Sequence, residues 1–353
     1  MVWKIPNLCY GYIFDHVAYL QYQKSKFIMA IYNNVLDMIG NTPIVQLSRI
    51  DTGVSSLFLK LENQNPGGSI KDRTGLNMIE QAEKRGTIHP GQLIVEATAG
   101  NTGLGLALAC RMKGYKLLLV IPDKMSIEKI HHLRALGVET VITRSDVGKG
   151  HPEYYQDLAA KIANERGGYY INQFENPDNP QTHVLTTGPE IWEQMEHKVD
   201  AVVVGVGSCG TLSGLTAYFK KVSPQTEFVL ADPKGSVLAD YINTKKLHDT
   251  TGSWFVEGIG EDYIPALSDF DLTKKAYEVS DEESFSAARL LLYEEGILAG
   301  SSTGTLLAAA IRYCREQKEP KRVVTIACDS GNKYLSKMFN DEWLKEKNLN
   351  VNI

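Results

Sequence analysis

The sequence predicts an α/β protein of two αβα sandwich domains built on parallel-type sheets. Three observations carry that prediction. Continuously apolar segments such as Leu117-Leu118-Leu119-Val120-Ile121 alternate along the chain with longer amphipathic stretches. Strands of that kind are buried on both faces, and helices on both faces are what covers a parallel sheet. Glycine-rich loops stand where strand gives way to helix, around 65–68, 100–103, 205–210 and 300–304. Finally, 353 residues at 43% hydrophobic and 22% charged give enough chain and apolar surface for two such units.

The elements follow in order. Leu57-Phe58-Leu59-Lys60-Leu61 reads as a short buried strand. A helix follows the loop at 65–68, with Ser69 as its N-cap and Ile70, Leu76, Met78, Ile79 and Ala82 as its apolar positions. The strand at 93–96 leads into a helix over 102–113. The strand at 116–121 is closed by Pro122, which cannot donate to a ladder. Next come a helix over 126–136, a strand over 138–143, a helix over 153–165 and a strand over 169–172. The second half repeats the logic, with strands at 201–204, 228–231 and 322–327. Helices are expected at 210–221, 282–295, 304–315 and the C-terminus. Residues 238–255 read as irregular and loop-rich. No low-complexity linker or short-period repeat interrupts the pattern.

Bulk properties exclude several classes. The formal net charge of −5 gives no basic footprint for nucleic acid. No run approaches the roughly 20 apolar residues of a membrane-spanning helix. Five scattered cysteines without a CxxC pair point to a reducing compartment such as the cytoplasm and to no metal site. His131-His132 lies in a stretch that reads as an exposed helix, where adjacent side chains diverge by about 100° and do not converge on a metal. Residues 1–28 are aromatic, with Tyr10, Tyr12, Phe14, Tyr19, Tyr22 and Phe27, and lack the pattern of a secretory signal. A cleaner globular pattern begins at Met29.

Four segments carry chemistry. In Asn65-Pro66-Gly67-Gly68-Ser69-Ile70-Lys71-Asp72-Arg73 a lysine falls in the first turn of a helix, where the dipole disfavours a cation by about 0.3–1 kcal/mol. Such a lysine has a reason to shed its proton and act as a nucleophilic amine, or it is a solvated cation at a frayed helix start. Glu96-Ala97-Thr98-Ala99-Gly100-Asn101-Thr102-Gly103 joins a strand to a helix and suits a carboxylate, or is simply a tight turn. Gly205-Val206-Gly207-Ser208-Cys209-Gly210-Thr211 suits a phosphate. It also matches G-x-G-x-x-G with Asp232 about 20 residues on, as a nicotinamide dinucleotide site requires. Gly300-Ser301-Ser302-Thr303-Gly304 precedes an Ala-rich helix, either as a cap or as part of a site. Gln173 ends the strand over 169–172 and faces the same region or solvent.

A reactive lysine, a phosphate cradle and a hydrogen-bond partner for a ring nitrogen are the needs of one cofactor, pyridoxal phosphate. In motif content the chain resembles the fold-type II pyridoxal-phosphate enzymes with a tryptophan synthase β-like fold. Within them it is most similar to the cystathionine β-synthase/cysteine synthase family. The resemblance covers residues 33–345. It rests on Ile39-Gly40-Asn41-Thr42-Pro43, the 65–73 run, Thr98 through Gly103, Gly207 through Thr211, Glu257-Gly258-Ile259-Gly260 and Gly300 through Gly304.

The resemblance implies roles for single residues. Lys71 would form the internal aldimine and serve as base for the α-proton. Gly207, Ser208, Cys209, Gly210 and Thr211 would take the phosphate. Asn101 would bond the ring hydroxyl and Ser302 would face the pyridine nitrogen. Thr98, Ala99, Thr102 and Gln173 would surround the substrate carboxylate. The implied division is a leader (1–32), a smaller mobile domain (65–175) and a larger domain (33–64 plus 176–353), with the site in the cleft between them. A homodimer is implied too.

The implied reaction is β-replacement through an aminoacrylate. Segments 233–239, 257–265, 281–285 and 334–343 resemble cystathionine β-synthase more than cysteine synthase. They favour serine, or O-acetylserine, condensing with homocysteine to cystathionine. The alternative is cysteine synthesis from O-acetylserine and sulfide. More distant alternatives are a nicotinamide-dependent oxidoreductase and a catalytically silent interaction subunit. There are departures from the family pattern. Ala99 stands where serine is usual, and Ser208-Cys209 where Thr-Gly is usual, with Cys209 expected to be an inert buried thiol. Cys9 and His16 do not match the spacing of the family's haem site. After Trp343 little sequence remains for a C-terminal regulatory module.

Overall fold

Two sheets organise the chain. The computed structural model describes residues 31–98, 100–123, 125, 127–148, 150–247 and 252–351. The first half runs β1 (Ile44–Gln46), β2 (Ser56–Lys60), α1 (Lys71–Lys84), β3 (Leu93–Ala97), α2 (Asn101–Lys113), β4 (Lys116–Pro122), α3 (Ile127–Ala135), β5 (Glu139–Thr143), α4 (Tyr155–Glu165) and β6 (Tyr169–Tyr170). The second half runs α5 (Asp178–Leu185), α6 (Thr187–Gln194), β7 (Ala201–Val204), α7 (Gly210–Val222), β8 (Glu227–Pro233), α8 (Leu238–Thr244), β9 (Thr273–Val279), α9 (Asp281–Glu295), α10 (Ser301–Glu316), β10 (Arg322–Ile326) and α11 (Asp341–Glu346).

The larger sheet has the order β1-β2-β10-β7-β8-β9 and the smaller β5-β4-β3-β6. Every pairing is parallel except β1 with β2. The apolar strands explain themselves in the smaller sheet. Ile94, Leu117, Leu119 and Ile121 face a core shared with Met78, Ile79, Leu104 and Leu106. Their alternate neighbours Val95, Ala97, Leu118 and Val120 face Ala159 and Ala163 of α4. A strand buried on both faces has no polar alternation to show. In the larger sheet β7 is wholly buried, between Leu212, Leu215 and Phe219 of α7 and Leu306, Leu307 and Ala310 of α10.

Helix α1 belongs to both halves. Met78, Ile79 and Ala82 lie in the core of the smaller sheet, whereas Ile70, just before it, joins the core of the larger one. Its approach to α2 is set by glycine. A Cβ on Gly105 would stand 2.4 Å from the Lys71 carbonyl oxygen, and one on Gly75 would stand 2.6 Å from the Gly105 carbonyl carbon. Backbone therefore meets backbone, with no side chain between the two helices at this point.

Several expectations need correction. The larger sheet is mixed, because the three-residue edge strand β1 runs antiparallel. Residues 238–244, expected to be irregular, form α8, capped by left-handed Lys245. The strand expected over 169–172 stops at Tyr170, and Asn172 is left-handed (φ +53°). Ser69 is not the N-cap of α1. Ile70 holds that position, and the Ser69 hydroxyl accepts the Lys71 amide at 3.2 Å from one residue further back. Likewise Gly300 caps α10, so Ser301 and Ser302 lie in its first turn rather than forming a cap pair. No element was expected over 178–194, where α5 and α6 form; Pro177 and Pro180 sit at the cap and in the first turn of α5, where proline is tolerated.

A buried four-charge cluster seats the first turn of α1. Arg73 donates to both oxygens of Glu62 (2.7 and 2.8 Å) and both of Glu190 (2.6 and 2.7 Å). Lys60 donates to Glu190 at 2.6 Å and to the Thr42 carbonyl at 2.6 Å. Despite partial burial, the Arg73 and Lys60 charges hold the Glu190 carboxyl down at about 2. Removing one partner of a buried pair strands the others. Arg73→Met is therefore expected to lose about 3–5 kcal/mol in chemical denaturation. An unchanged midpoint would show that Glu62 and Glu190 are not left stranded without Arg73.

Candidate active site

The site is assembled from loops at strand ends, which α/β folds leave free for ligands. Lys71 opens α1. Burial pulls its pKa below the ordinary lysine value, and the Cys328 and Cys209 thiols oppose that shift. Among the described residues its Nζ has no hydrogen-bond acceptor. Cys328 follows β10, and its thiol, raised to about 12 by burial, is hydrogen-bonded by Ser302. The amine and Ser302 thus meet across one thiol.

Cys209 adopts a left-handed conformation (φ +65°) at the N-cap of α7. Its thiol is buried, accepts from Ser213 at 3.4 Å and is pushed up to about 11 by burial, consistent with an inert thiol. The loop has been cut for close approach. A Cβ on Gly207 would stand 2.6 Å from the Gly258 carbonyl oxygen, and one on Gly210 would stand 1.9 Å from Asn179 Oδ1. Asn179 Oδ1 is buried without a partner. Ser208 and Thr211 are held from α5, by Asn179 Nδ2 at 2.9 Å and His183 Nε2 at 3.2 Å. His183 also lies 3.5 Å from Thr74 of α1. Burial, then Lys71 and Arg73, push its pKa well down, so the ring is neutral.

On the other side Thr102 donates to Gln173 Oε1 at 2.7 Å, and Thr98 accepts the Gly100 amide at 3.2 Å. Gln173 Nε2 donates to the Ala97 carbonyl at 3.2 Å, and the Gln173 carbonyl accepts from Asn179 at 2.8 Å. Asn179 therefore ties the loop at Ser208 to the strand end carrying Gln173. Ala99 lies outside the described residues. Asn101 bridges the Asp329 carboxylate (2.8 Å) and the Lys333 ammonium (2.9 Å). Lys129 packs its stem against Gly100 and pairs with Glu257 at 2.6 Å; Lys337 pairs with the same carboxylate at 2.7 Å.

Asp232 does not face a ligand. It is fully buried, and its Oδ2 accepts the Ala239 amide at 2.8 Å, which takes away the ribose contact a dinucleotide would need. The structure thus joins an anion cradle at a helix N-terminus, a desolvated amine and a buried hydroxyl, the donor set a pyridoxal phosphate fits. The family model described as pyridoxal-phosphate dependent enzyme matches residues 35–329.

The chain belongs to the pyridoxal-phosphate-dependent enzyme family. Its cofactor is pyridoxal phosphate. Cystathionine β-synthase of Rattus norvegicus is 40% identical over 318 residues, covering 89% of this chain and 56% of that protein. The chain thus spans little over half the length of that relative. Cysteine synthase of Staphylococcus aureus is 40% identical over 307 residues, covering 86% of this chain and 96% of that protein. Among solved structures, an O-acetylserine-dependent cystathionine β-synthase from Helicobacter pylori superposes with a TM-score of 0.80 at 35% identity, covering 88% of this chain and 99% of that one. Among the described residues no cluster of three His, Cys, Asp or Glu is placed to hold a metal, and no helix is long and apolar enough to cross a membrane.

Asn179, His183, Lys333 and Asp329, which the sequence did not single out, are brought by the structure into contact with the candidate residues Ser208, Thr211 and Asn101.

Glu96, at the end of β3, holds Gln173 from behind, accepting its backbone N–H and Nε2, each at 3.4 Å. Burial pushes its carboxyl up to about 8, from 4.5 in an exposed chain. Between those values the folded state binds the extra proton, so stability falls as pH rises. Glu96→Gln is expected to flatten that decline in thermal melts taken from pH 5 to 8. An unchanged slope would remove Glu96 as its source.

Proposed function

We propose that the chain catalyses β-replacement, condensing serine or O-acetylserine with homocysteine to give cystathionine. The observation that carries this reading is a desolvated Lys71 beside the Gly207–Thr211 cradle, with the substrate loop joined to that cradle through Asn179. In the proposed division a smaller lobe (65–175) closes on a larger one (33–64 plus 176–353).

When bound, pyridoxal phosphate supplies an electron sink that acidifies the α-carbon of an amino acid and lets its β-substituent leave. The phosphate is held by the amides of Gly207, Ser208, Cys209, Gly210 and Thr211 and by the Ser208 and Thr211 hydroxyls. Asn101 holds the ring hydroxyl, and Ser302 hydrogen-bonds the ring nitrogen. A serine hydroxyl there would hold the ring nitrogen without supplying the negative charge with which a carboxylate keeps that nitrogen protonated. Thr98, Ala99, Thr102 and Gln173 bind the substrate carboxylate, with Thr102 and Gln173 exchanging their mutual bond for it. Lys71, whose burial favours the neutral amine, takes the α-proton. Exclusion of water from the closed cleft protects the reacting carbon from hydrolysis.

Homocysteine is favoured over sulfide as acceptor by the charges beside the substrate loop. Two ammonium groups, Lys129 and Lys337, face the single carboxylate of Glu257. The positive surplus suits an acceptor that carries its own carboxylate. Cysteine synthesis from O-acetylserine and sulfide is the second reading, supported by the near full-length match to the Staphylococcus aureus cysteine synthase.

Serine and O-acetylserine would each be offered with homocysteine and with sulfide, and the products identified by mass spectrometry. Cystathionine is the expected main product. Cysteine alone would establish the second reading. Borohydride reduction of the loaded protein followed by peptide mapping is expected to place the cofactor on Lys71, and Lys71→Ala to lose both label and turnover. Label on any other lysine would overturn the assignment.

A further inference from the structure

Lys333 lies in the 3-10 turn Gly331–Tyr334 after β10 and is almost wholly buried. Its Nζ donates to three oxygens: the Gly67 carbonyl at 3.2 Å, the Gly68 carbonyl at 3.1 Å and Asn101 Oδ1 at 2.9 Å. Three acceptors match the three N–H bonds of an ammonium. Burial draws its pKa down, Asp329 opposes that and Lys129 adds to it. Gly67 and Gly68 belong to the loop that leads into Lys71, so this ammonium braces the amine-bearing segment against the start of α2.

Asn101 is held at both ends. Its Oδ1 takes the ammonium, and its Nδ2 donates to Asp329 Oδ2 at 2.8 Å, an oxygen that also accepts the Tyr334 hydroxyl at 2.8 Å. An amide nitrogen has two N–H bonds, so one remains for a ligand. A cation on the amide oxygen polarises the group and makes that remaining N–H a stronger donor.

We propose that Lys333 is a positioning residue that, acting through Asn101, favours the deprotonated state of the cofactor's ring oxygen. The proposal rests on the reading of Asn101 as the partner of that oxygen. Lys333 touches neither cofactor nor substrate. It fixes which amide atom faces the ring oxygen and strengthens the bond that atom makes.

The test reads the absorption of the bound cofactor rather than turnover. In such cofactors the visible band reports the deprotonated ring oxygen and the near-ultraviolet band the protonated one. Holoenzyme would be compared as wild type, Lys333→Arg, Lys333→Gln and Lys333→Met. Asn101→Ala checks the underlying site, and the exposed Lys318→Met serves as a surface control. The visible-to-ultraviolet ratio, taken per bound cofactor, is expected to stay near wild type in Lys333→Arg and to fall in Lys333→Gln. In Lys333→Met it should fall about tenfold, the size of one hydrogen bond to a charged group. If Lys333→Met does not fold by circular dichroism, the Arg and Gln variants carry the comparison. A ratio that falls in Asn101→Ala but not in the Lys333 variants would overturn the proposal and leave the reading of Asn101 intact. A ratio unmoved in Asn101→Ala would overturn both.

Discussion

Arg73 commits most of its guanidinium to two carboxylates, Glu62 and Glu190, whose one other ion-pair partner among the described residues is Lys60. That buried cluster is the constraint on which the site depends. Desolvating four charges costs nearly as much as their attraction returns, so such a cluster is a weak source of stability. What it supplies is place. Each oxygen of Glu62 and Glu190 has a fixed donor, and the bidentate geometry of arginine leaves little freedom of rotation. Lys71 lies two residues away on the same helical turn. The position of the amine is therefore inherited from β2 and α6, elements of the larger half, although most of α1 lies in the core of the smaller one.

The same region shows how burial divides the labour among ionisable groups. Glu190 ionises readily because cations face it, whereas burial pushes Glu96 up to about 8 and Asp232 up to about 7. Lys71 sits on the amine side of this division, with two thiols for neighbours and no carboxylate to keep it charged. A carboxylate in the place of Cys328 would stabilise the ammonium form of Lys71. The thiol, raised to about 12 by burial, brings no such charge.

The parts of this architecture that show in the sequence are those whose signal is local. Strands buried on both faces, such as β4 and β7, announce themselves by continuous apolar residues. Loops such as 205–211 announce themselves by glycine at a strand-to-helix junction. Edge strands gave weaker signals. β1 has only three residues, and β9 mixes Lys274, Lys275 and Glu278 with buried Ala276 and Val279 because only part of it is covered. Residues that act through distant partners were illegible. Lys333 reads as an ordinary cation until Asn101, 232 positions earlier, is placed against it. Asn179 and His183 look like turn and helix residues until the cradle loop folds over them. Cys209 was visible as a departure, but only its left-handed backbone shows that the residue occupies a conformation glycine adopts without strain.

The glycine contact between α1 and α2 has a mechanical consequence. Gly75 and Gly105 remove every compressible side chain from the crossing, so the two helices meet as rigid rods and cannot slide without backbone collision. The carriers of Lys71 and Asn101 are thereby welded into one body. A displacement of one helix at this crossing must carry the other, so the spacing between the first turns of α1 and α2 is held by backbone contact alone.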